Sequence, residues 1–329
     1  MIPVPQPILA SLARTYGAAA DTLSHFSGGR EDSDGVIYAY PHAGRRRLLK
    51  IMALAAAGQR RGVFYLEERL RFMKFLGEHD APIVYPQLSP QGSLFETVAS
   101  DTHLWVGYAM EIAPGRPVPA KTWDPAFFAR WGETIGRLHR LAREYPSWKA
   151  ALDPDTGEEL LTWREECRGF REWTQDADAK SGWAEMERQL DALPVTRDAF
   201  GFIHNDPHIW NLLYDGERLT LLDFDVANHH WFINDLAIAC QSILFEQTGG
   251  MDRPVYDHAK LRAFVSHLLE GYARTHHLAD VWLNRLDLFI TYRRLLLFTV
   301  MQGWISSKPE WWASWKRMIQ TRPPVVGTF

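Results

Sequence analysis

The segment of residues 201–225, GFIHNDPHIWNLLYDGERLTLLDFD, concentrates polar side chains between apolar runs. Its candidate functional residues are His204, Asp206, Asn211, Asp223 and Asp225. Pro207 removes a backbone donor and biases Asp206 towards extended geometry, so we predict a loop here rather than a helix. Carboxylate and amide oxygens suit Mg²⁺, which usually adds waters and substrate phosphates to one or two protein carboxylates. These residue types therefore indicate a site for magnesium with a nucleotide.

Short strands are expected to position this loop. Phe202 and Ile203 precede it, and residues 211–214 follow it. Asp215-Gly216 then turns the chain into RLTLLDFD, which predicts a second hairpin. A strand, a loop and a hairpin in this order bring Asp206, Asn211 and Asp223 to one side.

The first third of the chain predicts a small antiparallel sheet with one helix. Two strands, Val36 to Tyr40 and Arg47 to Ala53, are joined by a turn at residues 42–44. Apolar residues at helical spacing follow between Phe64 and Leu76, with Gly77 as a stop signal. A third strand is expected over 104–112, before a segment rich in Pro and Gly. We expect a domain boundary there, giving domains 1–113 and 114–329, the second mainly helical.

HNDPHIWN followed by LLDFD resembles a motif pair of the aminoglycoside phosphotransferase and choline kinase superfamily. These small-molecule kinases carry H-x-D-x-x-x-x-N and an Asp-Phe-Gly-like motif and are related to protein kinases. The resemblance implies an α+β, two-lobed, protein-kinase-like fold. Its small antiparallel-sheet N-lobe, residues 1–113, would bind the nucleotide. Its larger helical C-lobe, residues 114–329, would carry catalysis and substrate binding.

The same resemblance assigns the nucleotide contacts. Lys50 ends the second hairpin strand like the lysine that binds nucleotide phosphates. Glu67, with Glu68 as the alternative, corresponds to the helix glutamate that pairs with that lysine. YAMEIAPG resembles the inter-lobe hinge, in which the backbones of Glu111 and Ala113 would bind adenine. The segment SGGREDS, residues 27–33, is either a phosphate-covering loop or a plain surface turn.

Within the quoted segment, the resemblance makes Asp206 the catalytic residue and assigns Asn211 and Asp223 to Mg²⁺. Asp225 takes the glycine position of Asp-Phe-Gly and is expected to neighbour the metal. His204 would brace the loop, and Asp235 would support it from the next helix.

The implied reaction moves the γ-phosphate of ATP or GTP to a hydroxyl of a small molecule. HND, rather than the glycine form of many aminoglycoside kinases, points to an amino alcohol such as choline or ethanolamine. An aminoglycoside or another antibiotic is the alternative acceptor. Some of the fourteen tryptophans could form a cage around a cation, although core packing also explains them. The tryptophans to inspect are Trp210, Trp231, Trp304, Trp311, Trp312 and Trp315.

Two other classes of protein are considered. His208, His229 and His230 lie near the loop carboxylates, as in a zinc-dependent hydrolase, but that class leaves Lys50 and the hinge unexplained. A catalytically inactive kinase-like binding protein would typically have lost the lysine, the loop aspartate or the metal aspartate. This sequence retains all three.

The composition limits which binding partners and which cellular compartment are expected. A formal charge of −4 and a pI near 6.4 give no basic excess for nucleic acid or an anionic membrane. Cys167 and Cys240 form no paired framework, which favours a reducing compartment. The N-terminus lacks the apolar core of a signal peptide, and LLLFTVM is too short to span a bilayer. We therefore predict a cytoplasmic protein, and the sequence leaves its oligomeric state open.

Overall fold

The chain forms two compact units, Met1–Pro114 and Gly115–Phe329. The computed structural model describes residues 3–29, 35–55, 58–119, 123–248 and 257–327. Residues 30–33, most of the expected phosphate-covering or turn segment, lie outside the described residues.

The first unit contains a six-stranded antiparallel sheet among its described residues. The strands are β1 Ser24–Gly28, β2 Val36–His42, β3 Arg45–Ala55, β4 Pro86–Gln87, β5 Glu96–Ala99 and β6 His103–Glu111. They follow the order β1-β2-β3-β6-β4, and β5 also pairs with β6. The helices are α1 Gln6–Thr15 and α2 Gln59–Glu78, and a 3₁₀ helix spans Ala20–Thr22.

The expected first hairpin is present as β2 and β3. Its connection is Ala43-Gly44, and both residues have positive φ, 47° and 77°. A two-residue turn with both φ values positive matches the right-handed twist of the flanking strands. The hairpin register places Lys50 opposite Ile37 on one side, while β6 places Tyr108 opposite it on the other.

Helix α1 was not expected, because prolines interrupt the first residues of the chain. Pro7 lies in the first helical turn, where the missing N–H has no intrahelical partner to lose. The apolar face of α1 packs on the sheet, with Leu12 fully buried beside Leu49 and Trp105. The one predicted helix is α2, which begins at Gln59, five residues before Phe64, and runs one residue past Gly77.

The second unit is mainly helical. Its helices are α3 Pro125–Glu144, α4 Trp163–Trp173, α5 Ala177–Asp191, α6 Ile233–Thr248, α7 His258–Ala273, α8 Asp280–Leu283, α9 Leu286–Val300, α10 Gln302–Ile305 and α11 Pro309–Thr321. Its strands are β7 Arg116–Pro117, β8 Phe200–Ile203, β9 Leu212–Tyr214, β10 Leu219–Leu221 and β11 Asn228–Trp231. β8 pairs with β11, and β9 and β10 form the expected second hairpin, with β7 beside β9. A 3₁₀ helix, Ile209–Asn211, precedes β9.

Helices α3 and α7 cross closely because glycines line the crossing. A Cβ on Gly132 would stand 1.8 Å from the carbonyl oxygen of Leu268, and one on Gly271 would stand 1.7 Å from that of Ala129. Backbone atoms cannot yield as a flexible side chain can, so any side chain at these positions separates the helices. The crossing also fixes α3, which carries His139 of the site described below.

No described helix is both long and apolar enough to cross a membrane. Cys167 and Cys240 are free and buried, and burial raises the pKa of both thiols. Both are thus predominantly protonated at neutral pH.

Gly132→Ala should lower the free energy of unfolding by about 3 kcal/mol or more, because the new methyl group overlaps the Leu268 backbone. The matched control is Gly169→Ala on α4, since a Cβ there meets nothing within 4 Å. That change should raise stability by about 0.5–1 kcal/mol through helix propensity. Urea unfolding followed by circular dichroism compares the two. Equal effects of both substitutions would contradict the close crossing.

Candidate active site

The loop of residues 204–208 leaves β8 in a constrained backbone conformation. Asn205 has φ of 65°, the left-handed region that asparagine tolerates better than most residues. Its side chain is buried and fully used: Oδ1 accepts from Asn234, while Nδ2 donates to Glu166 and to the Val226 carbonyl. The conformation of the loop is therefore held by the interior of the unit.

Asp235, on α6, binds the backbone of this loop. Its carboxylate accepts from the N–H of Asn205 at 2.8 Å and from that of His204 at 3.3 Å. It also accepts from Nε2 of His139 at 3.0 Å, and Nδ1 of His139 accepts from Tyr272. Asp235 and His139 are both buried, so the charge is compensated by these donors rather than by water.

Glu166, on α4, forms a second carboxylate contact with the loop. One oxygen accepts from Nδ2 of Asn205 and Nδ2 of Asn228, both at 2.8 Å. The other accepts from the hydroxyl of Tyr292 at 2.6 Å. Burial and the neighbouring Glu166 raise the pKa of Tyr292 well above its usual value, so the phenol remains a donor. Glu166 thereby joins α4, the loop and α9.

His204 connects the loop to the segment that carries Asp223. Its Nε2 donates to the Leu222 carbonyl at 2.8 Å, and its Nδ1 accepts from the N–H of Asp206 at 3.1 Å. Burial lowers the pKa of His204 despite the nearby carboxylates, which favours the neutral ring that this pattern requires. His204 thereby links the main chain at Asp206 to that at Leu222.

The carboxylate of Asp206 is surrounded by hydrogen-bond donors. Arg293 on α9 donates to Oδ1, Nε2 of His208 lies 3.2 Å from Oδ2, and Nδ2 of Asn211 lies 3.4 Å from Oδ2. Burial by itself raises the pKa of Asp206, but the charge of Arg293 and the hydrogen bond from His208 outweigh it, and the pKa falls to about 2. Asp206 is therefore ionised at neutral pH and can accept a proton or a hydroxyl hydrogen bond.

Asn211 lies beside Asp206, and its main chain is bonded to the residue before Asp223. The amide nitrogen of Asn211 donates to the Asp206 carbonyl at 3.0 Å, so its amide oxygen is the atom of the group that could bind a cation. The backbone carbonyl of Asn211 accepts from Leu222, the residue before Asp223. Asp223 is exposed and has φ of 66°, a strained value of the kind that collects at functional sites, and Asp225 donates its N–H to it. This donor set fits a hard cation such as Mg²⁺.

The zinc alternative has no support among the described residues. No group of three or more His, Cys, Asp or Glu side chains there is arranged to hold a metal, as a zinc site made by three protein ligands requires. Both ring nitrogens of His229 bond main-chain carbonyls, those of Leu161 and Ser147. His230 is fully buried, and burial lowers its pKa to about 3.

In the first unit, the residues expected to bind nucleotide lie on β3, α2 and β6. Lys50 is buried in the sheet. Glu67 and Glu68 both pair with Arg71 on their own helix, and Glu68 is the more buried of the two. The side chain of Glu111 pairs with Arg47 at 2.7 Å. That the backbones of Glu111 and Ala113 bind adenine remains a prediction.

The tryptophans divide between core and surface. Trp231 and Trp315 are fully buried in the core. Trp304 and Trp311 lie with ring centroids 4.4 Å apart, and Lys308 occupies a face of Trp311. Trp210 is 55% exposed, and its ring meets that of His208 edge-on. Trp210 therefore lies beside the loop.

Sequence reasoning missed Arg293, Glu166 and Tyr292. Arg293 is 87 residues from Asp206, and Glu166 is 39 residues from Asn205. No motif or spacing in the sequence specifies the partner of Arg293 or of Glu166. The tandem arginines of TYRRLLL, within an otherwise apolar helix, were the one available sign.

The fold and the order of the motifs are those of a small-molecule kinase, an enzyme that moves a phosphoryl group from a nucleotide to a small molecule. The sequence model of the phosphotransferase enzyme family APH matches residues 36–278, and the chain belongs to that family. The expected superfamily is thus confirmed.

Individual relatives cover nearly the whole chain. Amicoumacin kinase of Bacillus subtilis (strain 168) is 23% identical over 330 residues, covering 98% of this chain and 94% of that protein. The structure of an amicoumacin kinase in complex with AMP-PNP, Ca²⁺ and Ami matches with a TM-score of 0.77 at 23% identity, covering 94% of this chain and 91% of that one. A microcompartment-associated aminopropanol kinase matches with a TM-score of 0.64 at 17% identity, covering 95% and 93%. The expected α+β kinase-like fold is confirmed.

Asp235→Asn should lower the free energy of unfolding by about 2–4 kcal/mol, because an amide cannot accept from three buried donors. Asp198→Asn is the control, since its side chain is 81% exposed in an ion pair with Arg143. That change should stay within about 1 kcal/mol. Urea unfolding measures both, and an Asp235 variant as stable as the control would show that the loop does not depend on this carboxylate.

Proposed function

We propose that Asp206, Asn211 and Asp223 form the catalytic centre of this phosphotransferase. The observation that carries the proposal is the environment of Asp206. Its carboxylate is ionised, is held on a loop bound by Asp235 and Glu166, and lies within hydrogen-bond reach of Asn211. Phosphoryl transfer depends mainly on positioning and charge stabilisation, and such an immobile carboxylate supplies the positioning.

In the proposed reaction, the hydroxyl of the acceptor donates a hydrogen bond to Asp206. The acceptor oxygen forms a bond to the γ-phosphorus as the bond from phosphorus to the β,γ-bridging oxygen breaks. The bridging oxygen keeps the electron pair and leaves with ADP, and the hydroxyl proton passes to Asp206 and then to solvent. The products are a phosphate monoester, ADP and a proton.

Asn211 and Asp223 would hold the divalent cation through their side-chain oxygens. When bound, Mg²⁺ would neutralise charge on the nucleotide phosphates. Asp225, half-buried beside Asp223, would support that ligand through its backbone N–H. The Ca²⁺ in the solved amicoumacin kinase complex supports a divalent cation in this family.

The first unit would bind the nucleotide. Lys50 would bind the phosphates, with Glu67 or Glu68 as its partner, and the backbones of Glu111 and Ala113 would bind the base. ATP is the proposed donor, since the solved amicoumacin kinase carries the ATP analogue AMP-PNP, and GTP is the alternative.

The acceptor is a small molecule with a hydroxyl. The two kinase relatives are named for amicoumacin and for aminopropanol. An antibiotic-type acceptor and an amino alcohol such as choline or ethanolamine are therefore the two candidates. Free buried cysteines support a cytoplasmic location.

Asp206→Asn should lower kcat by about 10²–10⁴-fold while the dissociation constant for Mg-ATP changes less than about threefold. The amide cannot take the proton, yet it retains the shape of the side chain. ADP release with magnesium and ATP or GTP is first screened over amino alcohols, sugars, nucleosides, aminoglycosides and other antibiotics. The variant is then assayed on the acceptor found, with Asp198→Asn as control. A variant with wild-type single-turnover rates would remove Asp206 from the mechanism.

Asp223→Asn should remove most of the gain in ATP affinity that Mg²⁺ confers and reduce turnover at least about 100-fold. The reason is that an anionic ligand of a hard cation is replaced by a neutral one. Calorimetric titration of ATP with and without Mg²⁺ measures the gain, and Asp215→Asn on the exposed hairpin turn is the control. An unchanged Mg²⁺ dependence would exclude Asp223 as a ligand.

A further inference from the structure

The loop fixes the backbone of Asp206, but the bonds of that backbone do not fix its carboxylate. The N–H of Asp206 donates to Nδ1 of His204. Its carbonyl accepts from the N–H of His208 at 2.8 Å and from the amide of Asn211 at 3.0 Å. The terminal torsion of an aspartate side chain is broad, without the sharp staggered positions of the other torsions. Contacts made by the carboxylate itself must therefore set its orientation.

The contacts of the carboxylate differ in origin and in strength. Nε2 of His208 lies 3.2 Å from Oδ2 and the amide nitrogen of Asn211 lies 3.4 Å from it, and both residues belong to the same loop as Asp206. Within the part of the chain that the structure describes, the contact to Oδ1 comes from Arg293 on α9. A hydrogen bond between two charged groups is roughly twice as strong as one between neutral groups. Arg293 is thus the strong contact that reaches the carboxylate from outside its own loop.

The residues on either side of Arg293 hold α9 in place. Tyr292 is fully buried and donates to Glu166 at 2.6 Å. Arg294 is also buried, and its Nε donates to Gln241 at 3.2 Å. Consecutive helical residues project about 100° apart, so bonds from neighbouring positions fix the rotation of the helix about its axis. The side chain of Arg293, which is 12% exposed, therefore approaches Asp206 from a fixed base.

We propose that Arg293 is a positioning residue for phosphoryl transfer, which sets the plane of the Asp206 carboxylate and hence the direction in which it meets the acceptor hydroxyl. The inference rests on the proposed role of Asp206 as the group that receives the hydroxyl. In this role Arg293 acts through the carboxylate and need not touch the nucleotide or the acceptor. A misplacement of about 1 Å can cost about 10²-fold in rate, so the orientation of the carboxylate bears on the chemical step.

A purely structural role for Arg293 would have different consequences. A residue that only stabilises α9 would lower stability when it is lost, and its effect on turnover would be the same whether or not residue 206 carries a carboxylate. A residue that acts through Asp206 loses its effect on turnover once that carboxylate has been removed. Combining substitutions at the two positions separates these roles, because interacting residues are not additive.

Arg293→Gln should lower kcat about 10²-fold or more, while the dissociation constant for Mg-AMP-PNP changes less than about twofold. Arg293→Lys should regain about tenfold of this loss but stay below wild type, since an ammonium is a charged donor without the planar fork. ADP formation from Mg-ATP measures kcat. The acceptor is the one found in the ADP-release screen or, where none is turned over, water. Calorimetry measures the affinity for Mg-AMP-PNP.

Arg294→Gln is the matched control, because it removes the neighbouring arginine of the same helix. This change should lower the midpoint of urea unfolding, since Arg294 is buried, but leave kcat of the folded protein within about threefold of wild type. A loss of kcat as large as that of Arg293→Gln would indicate general damage to α9 and would rule out the positioning role.

The double variant gives the decisive comparison. In the Asp206→Asn background, Arg293→Gln should slow single turnover by less than about twofold more, because no carboxylate remains to be oriented. A further loss as large as in wild type would overturn the inference.

Urea unfolding of the same variants tests the contact without any acceptor. Each single change leaves the other charge without its partner, so the double variant should unfold at a midpoint no lower than that of the less stable single variant. Fully additive shifts would show that the two side chains do not interact, and the inference would fail.

The proposed function and this inference fail in different ways. Wild-type turnover in Asp206→Asn would contradict the proposed function itself. Loss of turnover in Asp206→Asn with full activity in Arg293→Gln would keep the function and remove the role of Arg293. Should Arg293→Gln not fold, Arg293→Lys replaces it. A lowered kcat with retained affinity for Mg-AMP-PNP then supports the inference, and an unchanged kcat refutes it.

Discussion

The buried carboxylate of Asp235 is the constraint on which the site depends. An ionised group without water must receive hydrogen bonds from its surroundings. Here two come from successive backbone N–H groups of the loop, those of His204 and Asn205, and one from His139 on α3. The charge can be buried only if α3, α6 and the loop take their observed places. Asp206 is the next residue along, so its position follows from this requirement.

Glu166 and Asp206 are half-buried, and each also accepts hydrogen bonds from several donors. Glu166 is satisfied by two asparagine amides and a tyrosine hydroxyl. Asp206 accepts from a cation, an imidazole and an amide, and the cation and the imidazole lower its pKa. Helix α9 supplies Tyr292 to the first carboxylate and Arg293 to the second. Helix α9 thereby contacts both the carboxylate that supports the loop and the carboxylate of Asp206.

Membership of the family and identity of the acceptor are separate conclusions. The matched family and the full-length relatives share the fold and the order of the motifs, while the names of those relatives already include different acceptors. A fold can host many substrates because recognition resides in a few side chains around a common centre. In this chain, the side chains around Asp206 are therefore the place where the acceptor would be recognised.

The sequence by itself determined the local features: the β2–β3 hairpin, the loop that Pro207 enforces, the β9–β10 hairpin and the order of the kinase motifs. These depend on residues within a few positions of one another, where periodicity and turn chemistry act. Tertiary structure alone decided the partners of the carboxylates. Consecutive helical residues point about 100° apart, so Arg293 reaches Asp206 while Arg294 is buried beside Gln241. Which arginine faces the loop depends on how α9 is rotated in its packing, and no local pattern encodes that rotation.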